Sequence, residues 1–409
     1  MDRSKEPRIG ILLGPHFVRL AANAGFAFGF LEASLKGEVP VPTHIKGVSS
    51  GGIVTASFAP WTMKAGHRAL KRIKELRSYG IKGSDFHELN RDLKFWGLLE
   101  TIGALAPLVP WHKIEKRWLR NLAKGVTSAS VLGLEAELVQ KFFACNAVFS
   151  NDKLRELLRS HLDFEGIYNS PVKIEIIAAD INGDEASNKR VRLSSVTNYR
   201  PEDIWNTEKL LRTVVAGASV TGFFPTYKNE LGHYDTDGII YTAFPIGLAR
   251  KDKCNVIIVV KFNYGAQGYM DHDYSNWMLA LHRSIDIKAD DETDRIIRGY
   301  MRVNNDVERI ASMRESLVAL KTIINDVAPS VRVLLEKQII EIEDELSNLY
   351  ADGKESVNLV VIDSEQIPEF NFHHFDEHSN MTGENIGYDA FLKSKNAINK
   401  AVELALQDK

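Results

Sequence analysis

Cysteine is scarce in this sequence, whose 409 residues include only Cys145 and Cys254. The two lie far apart and neither belongs to a Cys-x-x-Cys pair, which argues against a zinc site and against a disulfide framework. Histidine and aspartate do not cluster at the spacing of metal ligands either. We therefore expect no metal, no calcium dependence and no cofactor.

An excess of positive charge is also missing. The formal net charge is -3, from 51 Lys and Arg against 54 Asp and Glu, so we expect no nucleic-acid partner that would need a broad basic surface. No apolar run reaches the roughly 20 residues of a membrane-spanning helix. Residues 1–7 contain no apolar run of the signal-peptide kind. These absences predict a cytoplasmic protein, and they leave peripheral attachment to a membrane open.

Apolar runs alternate with helical patterns in the N-terminal part of the chain. Arg8–Leu13 is predicted to be a buried strand, Ala21–Lys36 a helix that Gly37 ends, and a second strand leads into Ser49. Three later apolar runs predict further central strands: Val172–Asp180, Val256–Val260 and Val357–Ile362. This order is typical of an α/β fold with a mostly parallel sheet.

Two segments interrupt that pattern. Residues 60–150 are mostly helical in pattern, and residues 287–350 keep helical apolar spacing on both sides of Pro329, as an antiparallel helical hairpin does. We therefore divide the chain into a core over 1–286 with a helical insertion at about 60–150, the hairpin at 287–350, and a strand and helix over 351–409 that pack back on the core. The hairpin is either a peripheral helix pair or a surface for homo-oligomerisation or another partner.

The segment Trp96–Trp111 lies inside the insertion and is apolar, with tryptophan at both ends. Glycine and proline break it, and it is too short to span a bilayer. One interpretation is an apolar cap over an active site, or a patch that enters a lipid surface. The other is a core helix beside the sheet, and the sequence leaves both open.

The segment Gly47–Gly51 has the pattern Gly-x-Ser-x-Gly, with Ser49 at its centre. A serine on a sharp strand-to-helix turn presents its hydroxyl clear of the sheet, and the small residues Gly47 and Gly51 let strand and helix pack closely. The N-terminus of the following helix stabilises negative charge on a bound carbonyl. Taken alone, the pattern fits either a nucleophile or a Ser/Gly turn without chemistry.

Further motifs follow the Ser49 turn, which we call the elbow, in a defined order. Ala179-Asp180 ends a central strand, Ala218–Pro225 reads Ala-Ser-Val-Thr-Gly-Phe-Phe-Pro, and Asp237-Gly238 precedes Pro245. With the early elbow, these motifs resemble those of the patatin-like phospholipases over roughly residues 8–262. The resemblance implies a three-layer α/β fold with a central, mostly parallel sheet, here with a helical insertion and with a helical hairpin before the C-terminal strand and helix. It also implies a lipid acyl hydrolase of the phospholipase A or lysophospholipase type that works through an acyl-enzyme intermediate.

The same resemblance implies roles for two residues. Ser49 is the expected nucleophile, and Asp237 is the expected base that takes its proton and passes one to the leaving alcohol, without a histidine. Asp235, two residues earlier, is the nearest competitor for the role of base. The implied substrate is a phospholipid or lysophospholipid, while head group, acyl chain, sn position, activating signal and biological role stay open.

The loop after the first strand departs from the family pattern of Gly-Gly-Gly-x-Arg/Lys-Gly. Residues 14–20 read Gly-Pro-His-Phe-Val-Arg-Leu, and Pro15 has no N–H to donate to an oxyanion. Arg19 is a candidate for binding a lipid phosphate or stiffening the loop, and an exposed structural arginine is the other interpretation. The candidate oxyanion donors are the backbone N–H groups of four residues: Gly14, His16, Phe17 and Ser50.

Two other functions remain open from the sequence. A soluble ester or thioester hydrolase with a Ser-His-Asp triad would need one of the late histidines, His373, His374 or His378. A catalytically degenerate patatin-like protein that binds lipid or a protein partner is favoured by the altered loop. The presence of both Ser49 and Asp237 argues against that second alternative.

Overall fold

The computed structural model describes residues 7–15, 20–81, 151–183, 189–203, 206–221, 224–262, 277–348, 357–363 and 377–407. The strands in these ranges are β1 (Ile9–Leu13), β2 (His44–Val48), β3 (Lys173–Asp180), β4 (Arg192–Thr197), β5 (Tyr227–Lys228), β6 (Tyr234–Asp237), β7 (Val256–Lys261) and β8 (Asn358–Asp363). The helices are α1 (Leu20–Leu35), α2 (Ser50–Phe58), α3 (Met63–Ile81), α4 (Asp152–His161), α5 (Phe164–Tyr168), α6 (Thr207–Gly217), α7 (Ile246–Lys251), α8 (Trp277–Ile323), α9 (Pro329–Asn348) and α10 (Glu377–Gln407).

Five strands form the parallel part of one sheet, in the order β8-β7-β1-β2-β3. β4 and β6 both pair with β3 in the antiparallel sense, and β5 pairs with β6. The carboxyl ends of the parallel strands therefore lie at one edge of the sheet, which is where ligands bind in α/β folds. The predicted α/β fold with a mostly parallel sheet is confirmed.

Alternate residues of the central strands enter two different apolar cores. In β7, Val256, Ile258 and Val260 pack on the side of α1, α2 and α10, while Ile257 and Val259 pack on the side of α7 and α8. Side chains of a strand point to opposite faces in turn, so a strand covered on both faces is apolar throughout. This double burial explains why the central strands were visible in the sequence as continuous apolar runs.

The structure differs from the sequence prediction where elements are polar or short. β4, which reads Arg-Leu-Ser-Ser-Val-Thr and is largely not fully buried, was not predicted as a strand. α8 begins at Trp277, before the predicted hairpin boundary at 287. α4 and α5 are separate helices, because Asp163 accepts the N–H of Gly166 at 2.8 Å and caps α5.

A buried charge network lies on the sheet face away from α2. The ammonium of Lys46 contacts both the carboxylate of Glu175 and that of Asp252, and Lys46 is almost wholly inaccessible. Arg200 binds the other oxygen of Glu175 at 2.8 Å, and the hydroxyl of Tyr199 donates to Asp252 at 3.3 Å. The network connects β2, β3, the segment after β4 and the end of α7.

α8 and α9 lie on either side of a short turn that ends at Pro329. Ion pairs between Arg309 and Glu345 and between Lys321 and Glu343 join the two helices. Ile310 on α8 and Ile339 on α9 are buried, whereas Val318, Val333 and Leu334 are exposed. Among the helices of the described ranges, none combines the length and apolarity needed to cross a bilayer.

Candidate active site

Ser49 stands at the turn between β2 and α2. Its backbone has φ 54° and ψ -128°, a positive-φ conformation that a residue with a β-carbon adopts only under strain. The N–H of Gly52 donates to the Ser49 carbonyl at 2.9 Å and closes the turn. Such strain at a serine between a strand and a helix matches the geometry of a nucleophile elbow.

The two flanking glycines are required by close packing. A β-carbon at Gly47 would lie 2.4 Å from the Gly51 carbonyl oxygen and 2.4 Å from the hydroxyl of Thr55. A β-carbon at Gly51 would lie 2.2 Å from the carbonyl oxygen of Leu13. Gly47 thus lets α2 return against its own strand, and Gly51 lets the end of β1 lie directly against the elbow.

Sheet register brings Asp237 to Ser49. β2 pairs with residues 173–177 of β3, β6 pairs with residues 178–180, and β4 pairs with residues 175–180. β4 overlaps both of the others, so β2 and β6 must share the opposite edge of β3, end to end. The Ser49 hydroxyl, just beyond the end of β2, donates to Oδ2 of Asp237 at 2.7 Å.

The Asp237 carboxylate is held by backbone contacts as well. Its Oδ1 accepts the N–H of Ile239 at 2.9 Å, and its own N–H donates to the Ser219 carbonyl at 3.0 Å. The Thr236 hydroxyl donates to the same carbonyl at 2.8 Å. The Ala218-Ser219 dipeptide that stood out in the sequence therefore fixes the backbone that carries Asp237.

Burial dominates the electrostatics of this pair. Ser49 is 5% exposed and Asp237 is 1% exposed. Loss of hydration disfavours the charged carboxylate and raises the pKa of Asp237 to about 7, although the hydrogen bonds from Ser49 and from the Ile239 N–H oppose the rise. A carboxyl group with a pKa near neutrality can both accept and return a proton at the pH of a cell.

Asp235 has other partners. Its Oδ2 accepts the Ser194 hydroxyl at 2.9 Å and its Oδ1 accepts the Asn229 amide at 2.9 Å. Burial raises its pKa above the ordinary value, against these two hydrogen bonds. Asp180 lies opposite Asp235 on β3 and contacts Nδ1 of His233 at 2.9 Å. These contacts direct Asp235 to β4 and the β5–β6 turn, and the hydrogen bond from Ser49 goes to Asp237.

Gly14 begins the candidate oxyanion loop and is enclosed on three sides. The Phe244 ring lies where a β-carbon would be, since that atom would be 2.2 Å from its Cζ. The amide of Asn23 donates to the Gly14 carbonyl at 3.1 Å, and Gly51 packs against the same stretch of backbone. Asn23 and Phe244 were not found from the sequence, although a lone asparagine among the apolar and small residues of the N-terminal half of α1 was a usable signal.

The structure describes only some of the remaining candidate residues. Ser50 begins α2 and is buried, so its backbone lies at the positive end of that helix. Three loop candidates lie outside the described residues: His16, Phe17 and Arg19. His373, His374 and the segment Trp96–Trp111 also lie outside them, and for His378 only the backbone of α10 is described. Within the described ranges, no three His, Cys, Asp or Glu side chains group as metal ligands.

A comparison of the sequence with protein-family models agrees with this architecture. The family model described as patatin-like phospholipase matches residues 21–250, more than half of the chain. Members of that family are lipid acyl hydrolases. No curated protein matches the chain. Among solved structures, VipD from Legionella pneumophila is 14% identical to this chain. The match covers 96% of this chain and 67% of the VipD chain, with a TM-score of 0.35. This structural similarity supports no functional inference.

Proposed function

Because the chain belongs to the patatin-like phospholipase family, we propose that it hydrolyses a carboxylic ester of a phospholipid or lysophospholipid with a Ser49–Asp237 dyad. One observation carries the proposal. The Ser49 hydroxyl donates directly to the Asp237 carboxylate at 2.7 Å, and both residues are almost fully buried. Nucleophile and base within hydrogen-bond reach are the signature of covalent catalysis by serine.

The first half of the reaction forms an acyl-enzyme. Asp237 takes the proton of Ser49 as the Ser49 oxygen attacks the ester carbonyl carbon, and the carbonyl oxygen becomes an oxyanion. When this intermediate collapses, the carbon–oxygen bond to the leaving alcohol breaks. Asp237 gives its proton to that alcohol, which departs as the lysolipid or the glycerol-containing head group. The acyl chain is then an ester of Ser49.

The second half uses water. Asp237, again a carboxylate, takes a proton from the water that attacks the acyl carbon, and the Ser49 oxygen recovers that proton when the acyl bond breaks. A free fatty acid leaves. The pKa of Asp237 near 7 suits both directions of proton transfer, because the driving force for each is then small.

The oxyanion in this scheme is stabilised by backbone donors. We assign Ser50, at the N-terminus of α2, and the loop that begins at Gly14 as donors, with His16 and Phe17 as the expected loop members and Arg19 as the candidate for a lipid phosphate. The contact of Gly51 with the carbonyl of Leu13 supports this assignment, because it brings the loop and the helix N-terminus together. Each such donor contributes about 10²–10³ in rate.

Labelling with a fluorophosphonate probe tests the dyad. We expect wild type to be labelled and Ser49→Ala and Asp237→Asn to be unlabelled, while the triple variant His373→Ala/His374→Ala/His378→Ala is labelled as wild type is. Ser57→Ala is the matched control, because its hydroxyl donates to the Ile53 carbonyl within the same helix. Far-UV circular dichroism verifies that each variant is folded.

Other results would replace the proposal. Loss of labelling in the histidine variant would favour a triad esterase. If Asp235→Asn lost labelling and Asp237→Asn kept it, Asp235 and not Asp237 would be the base. A wild type that never reacts, even with lipid micelles present, would favour a degenerate lipid-binding protein. If labelling behaves as expected, fatty-acid release from phosphatidylcholine and from lysophosphatidylcholine separates the two substrate classes.

A further inference from the structure

Two turns project beyond the edge of the sheet that carries Ser49. The β3–β4 turn follows Asp180, and the β5–β6 turn precedes Tyr234, which pairs across the sheet with the start of the first turn. Asp237 pairs with Ala178, so Tyr234 lies three residues further along β6, or about 10 Å at ~3.3 Å per residue. Ile181 and the β5–β6 turn therefore lie past the candidate active site, beyond the carboxyl ends of the parallel strands, where ligands bind in α/β folds.

The turns carry large apolar side chains in solvent. Ile181 is 40% exposed, Leu231 is 59% exposed and Tyr234 is 46% exposed. The N–H of Ile181 donates to the Tyr234 carbonyl at 3.0 Å, which brings the two turns side by side. Ile240, 46% exposed, lies only three residues after Asp237. We call the exposed apolar residues Ile181, Leu231 and Tyr234, with the cations beside them, the turn surface.

Exposed cations outnumber exposed acids among the described residues near these apolar side chains. Four exposed cations lie on the two turns or at their strand ends: Lys189, Arg190, Arg192 and Lys228. The same stretches of sequence contain four acids, namely the exposed Glu230, the buried Asp180 and, outside the described residues, Asp184 and Glu185. Glu230 is paired with Arg212 at 3.1 Å, and Asp180 contacts His233.

Polar contacts, two of them partly buried, hold the turn surface in place. His233 contacts the carboxylate of Asp180, which is 1% exposed, at 2.9 Å. The Asn229 amide donates to Asp235 at 2.9 Å, and Asn182 Oδ1 accepts the N–H of Tyr234 at 2.8 Å. The apolar side chains are thus fixed relative to Asp237, as a docking surface beside an active site must be.

We propose that the turn surface docks on a phospholipid bilayer, which presents its lipids to the Ser49–Asp237 site. The inference rests on the proposed function for its choice of partner. Apolar side chains with an aromatic residue enter the boundary between head groups and acyl chains, and neighbouring cations are attracted to anionic lipids. A surface of this composition, which begins about 10 Å along β6 from Asp237, fits a lipid interface better than it fits a protein groove.

Vesicle flotation with the Ser49→Ala protein tests docking without lipid turnover. Vesicles of phosphatidylcholine alone are compared with vesicles that contain phosphatidylglycerol. We expect Leu231→Glu/Tyr234→Glu to reduce binding at least about tenfold to both kinds, because two side chains that the proposal places in the bilayer become charged. We expect Lys189→Ser/Arg190→Ser to reduce binding by about fivefold per cation on the anionic vesicles alone.

The matched control is Val333→Glu/Leu334→Glu on α9, where the two side chains are 65% and 67% exposed. These changes add the same charge to an apolar surface on the helical hairpin, and vesicle binding should be unchanged. Equal binding by the Leu231→Glu/Tyr234→Glu variant and its parent would overturn the proposal. So would loss of binding in the α9 variant alone, because the hairpin would then be the docking surface.

A second readout separates docking from catalysis. In the Ser49-containing protein, the ratio of vesicle-lipid hydrolysis to hydrolysis of a short soluble ester should fall at least about tenfold in Leu231→Glu/Tyr234→Glu. Suppose that the protein hydrolyses the soluble ester but that its vesicle binding does not depend on Leu231 and Tyr234. This result would overturn the docking surface and leave the proposed function standing. Vesicle binding that requires these residues, without hydrolysis of any ester, would retain the docking surface and remove the proposed function.

Discussion

The hydroxyl of Ser49 and the carboxylate of Asp237 share a 2.7 Å hydrogen bond although the residues are 188 positions apart. They meet because β2 and β6 occupy the same edge of β3 and end at neighbouring positions, with Val48 opposite Ile177 and Asp237 opposite Ala178. No histidine stands between the two atoms. This contact and its burial lead to the first three predictions.

Activity should depend on a single group that ionises near neutrality. Burial raises the pKa of Asp237 to about 7, and only the carboxylate accepts the Ser49 proton. We expect kcat/KM for a soluble ester to rise about tenfold per pH unit below pH 7 and to level off above it. A profile that is flat from pH 5 to 8 would show an ordinary carboxylate and contradict the prediction.

Replacing the same carboxylate should stabilise the fold at alkaline pH. The folded pKa of Asp237 lies above the unfolded value, so between about pH 4 and 7 the native state holds a proton that the unfolded state releases, and stability falls as pH rises. The Asp237→Asn protein has no titrating group at this position and does not lose stability in this way. We expect its Tm to exceed that of wild type by a few degrees at pH 8, with the difference shrinking towards pH 4. A difference in Tm between the two proteins that stays constant from about pH 4 to pH 8 would refute the expectation.

Glycine at position 49 should be better tolerated by the fold than alanine. Ser49 has φ 54°, and a β-carbon in this region costs about 1–3 kcal/mol. Both Ser49→Gly and Ser49→Ala remove the hydroxyl and its bond to Asp237, so their difference isolates the backbone strain. We expect Ser49→Gly to be the more stable in chemical denaturation, and equal midpoints would mean that the elbow relaxes when the hydroxyl is absent.

Asn23 should support turnover through the loop that begins at Gly14. Asn23→Asp keeps the shape of the side chain but places an acceptor against the Gly14 carbonyl, so the loop must shift. We expect kcat to fall about tenfold or more, affinity for a trifluoromethyl ketone to fall with it, and KM to stay the same, because an oxyanion loop acts on the tetrahedral state.

The control for Asn23 is Asn198→Asp. Asn198 is also buried, and its amide donates to the carbonyls of Ile167 and Val172, away from the candidate active site. We expect it to lower thermal stability and leave kcat unchanged. An equal loss of kcat in both variants would mean that Asn23 supports the fold in general and not the loop.

Lys46 should be among the costly positions of the fold. Removing a buried ammonium leaves the carboxylates of Glu175 and Asp252 without their shared cation, which costs about 3–5 kcal/mol. Burial raises the pKa of Asp252, yet the hydrogen bond and the charge of Lys46, with smaller contributions from His44 and Tyr199, together outweigh burial and the net shift is downward. The contribution of Asp252 is therefore present above its unfolded pKa and is lost as pH falls.

Urea denaturation of Lys46→Met at two pH values measures this effect. We expect the loss of stability relative to wild type to be large at pH 7 and smaller near pH 3, because the contribution of Asp252 is progressively lost as the pH falls below the ordinary pKa of its carboxyl group. Lys36→Met is the control, because Lys36 is exposed and pairs with Glu32 one helical turn earlier, so its loss should cost little stability. A cost independent of pH would mean that Lys46 contributes by packing and not by charge.

The sequence by itself determined the parts of the fold that depend on local pattern. Strands buried on both faces are continuous apolar runs, as β3 and β7 are, and strong runs of this kind predicted the parallel sheet. The elbow was visible because its backbone needs small residues at Gly47 and Gly51. Gly37 has φ 74° and comes directly after α1 and one lysine, which is why the end of that helix was also predictable.

Only the tertiary structure decided how distant residues meet. Asp235 and Asp237 are both buried and lie on the same short strand, so local pattern does not distinguish them. The register of β6 against β3 brings Asp237 to Ser49 and Asp235 to Ser194. Asn23 is likewise an ordinary buried polar residue until Gly14 is placed beside it. Side-chain periodicity reports which residues are buried, whereas the pairing of segments far apart in the chain depends on sheet register, which periodicity does not contain.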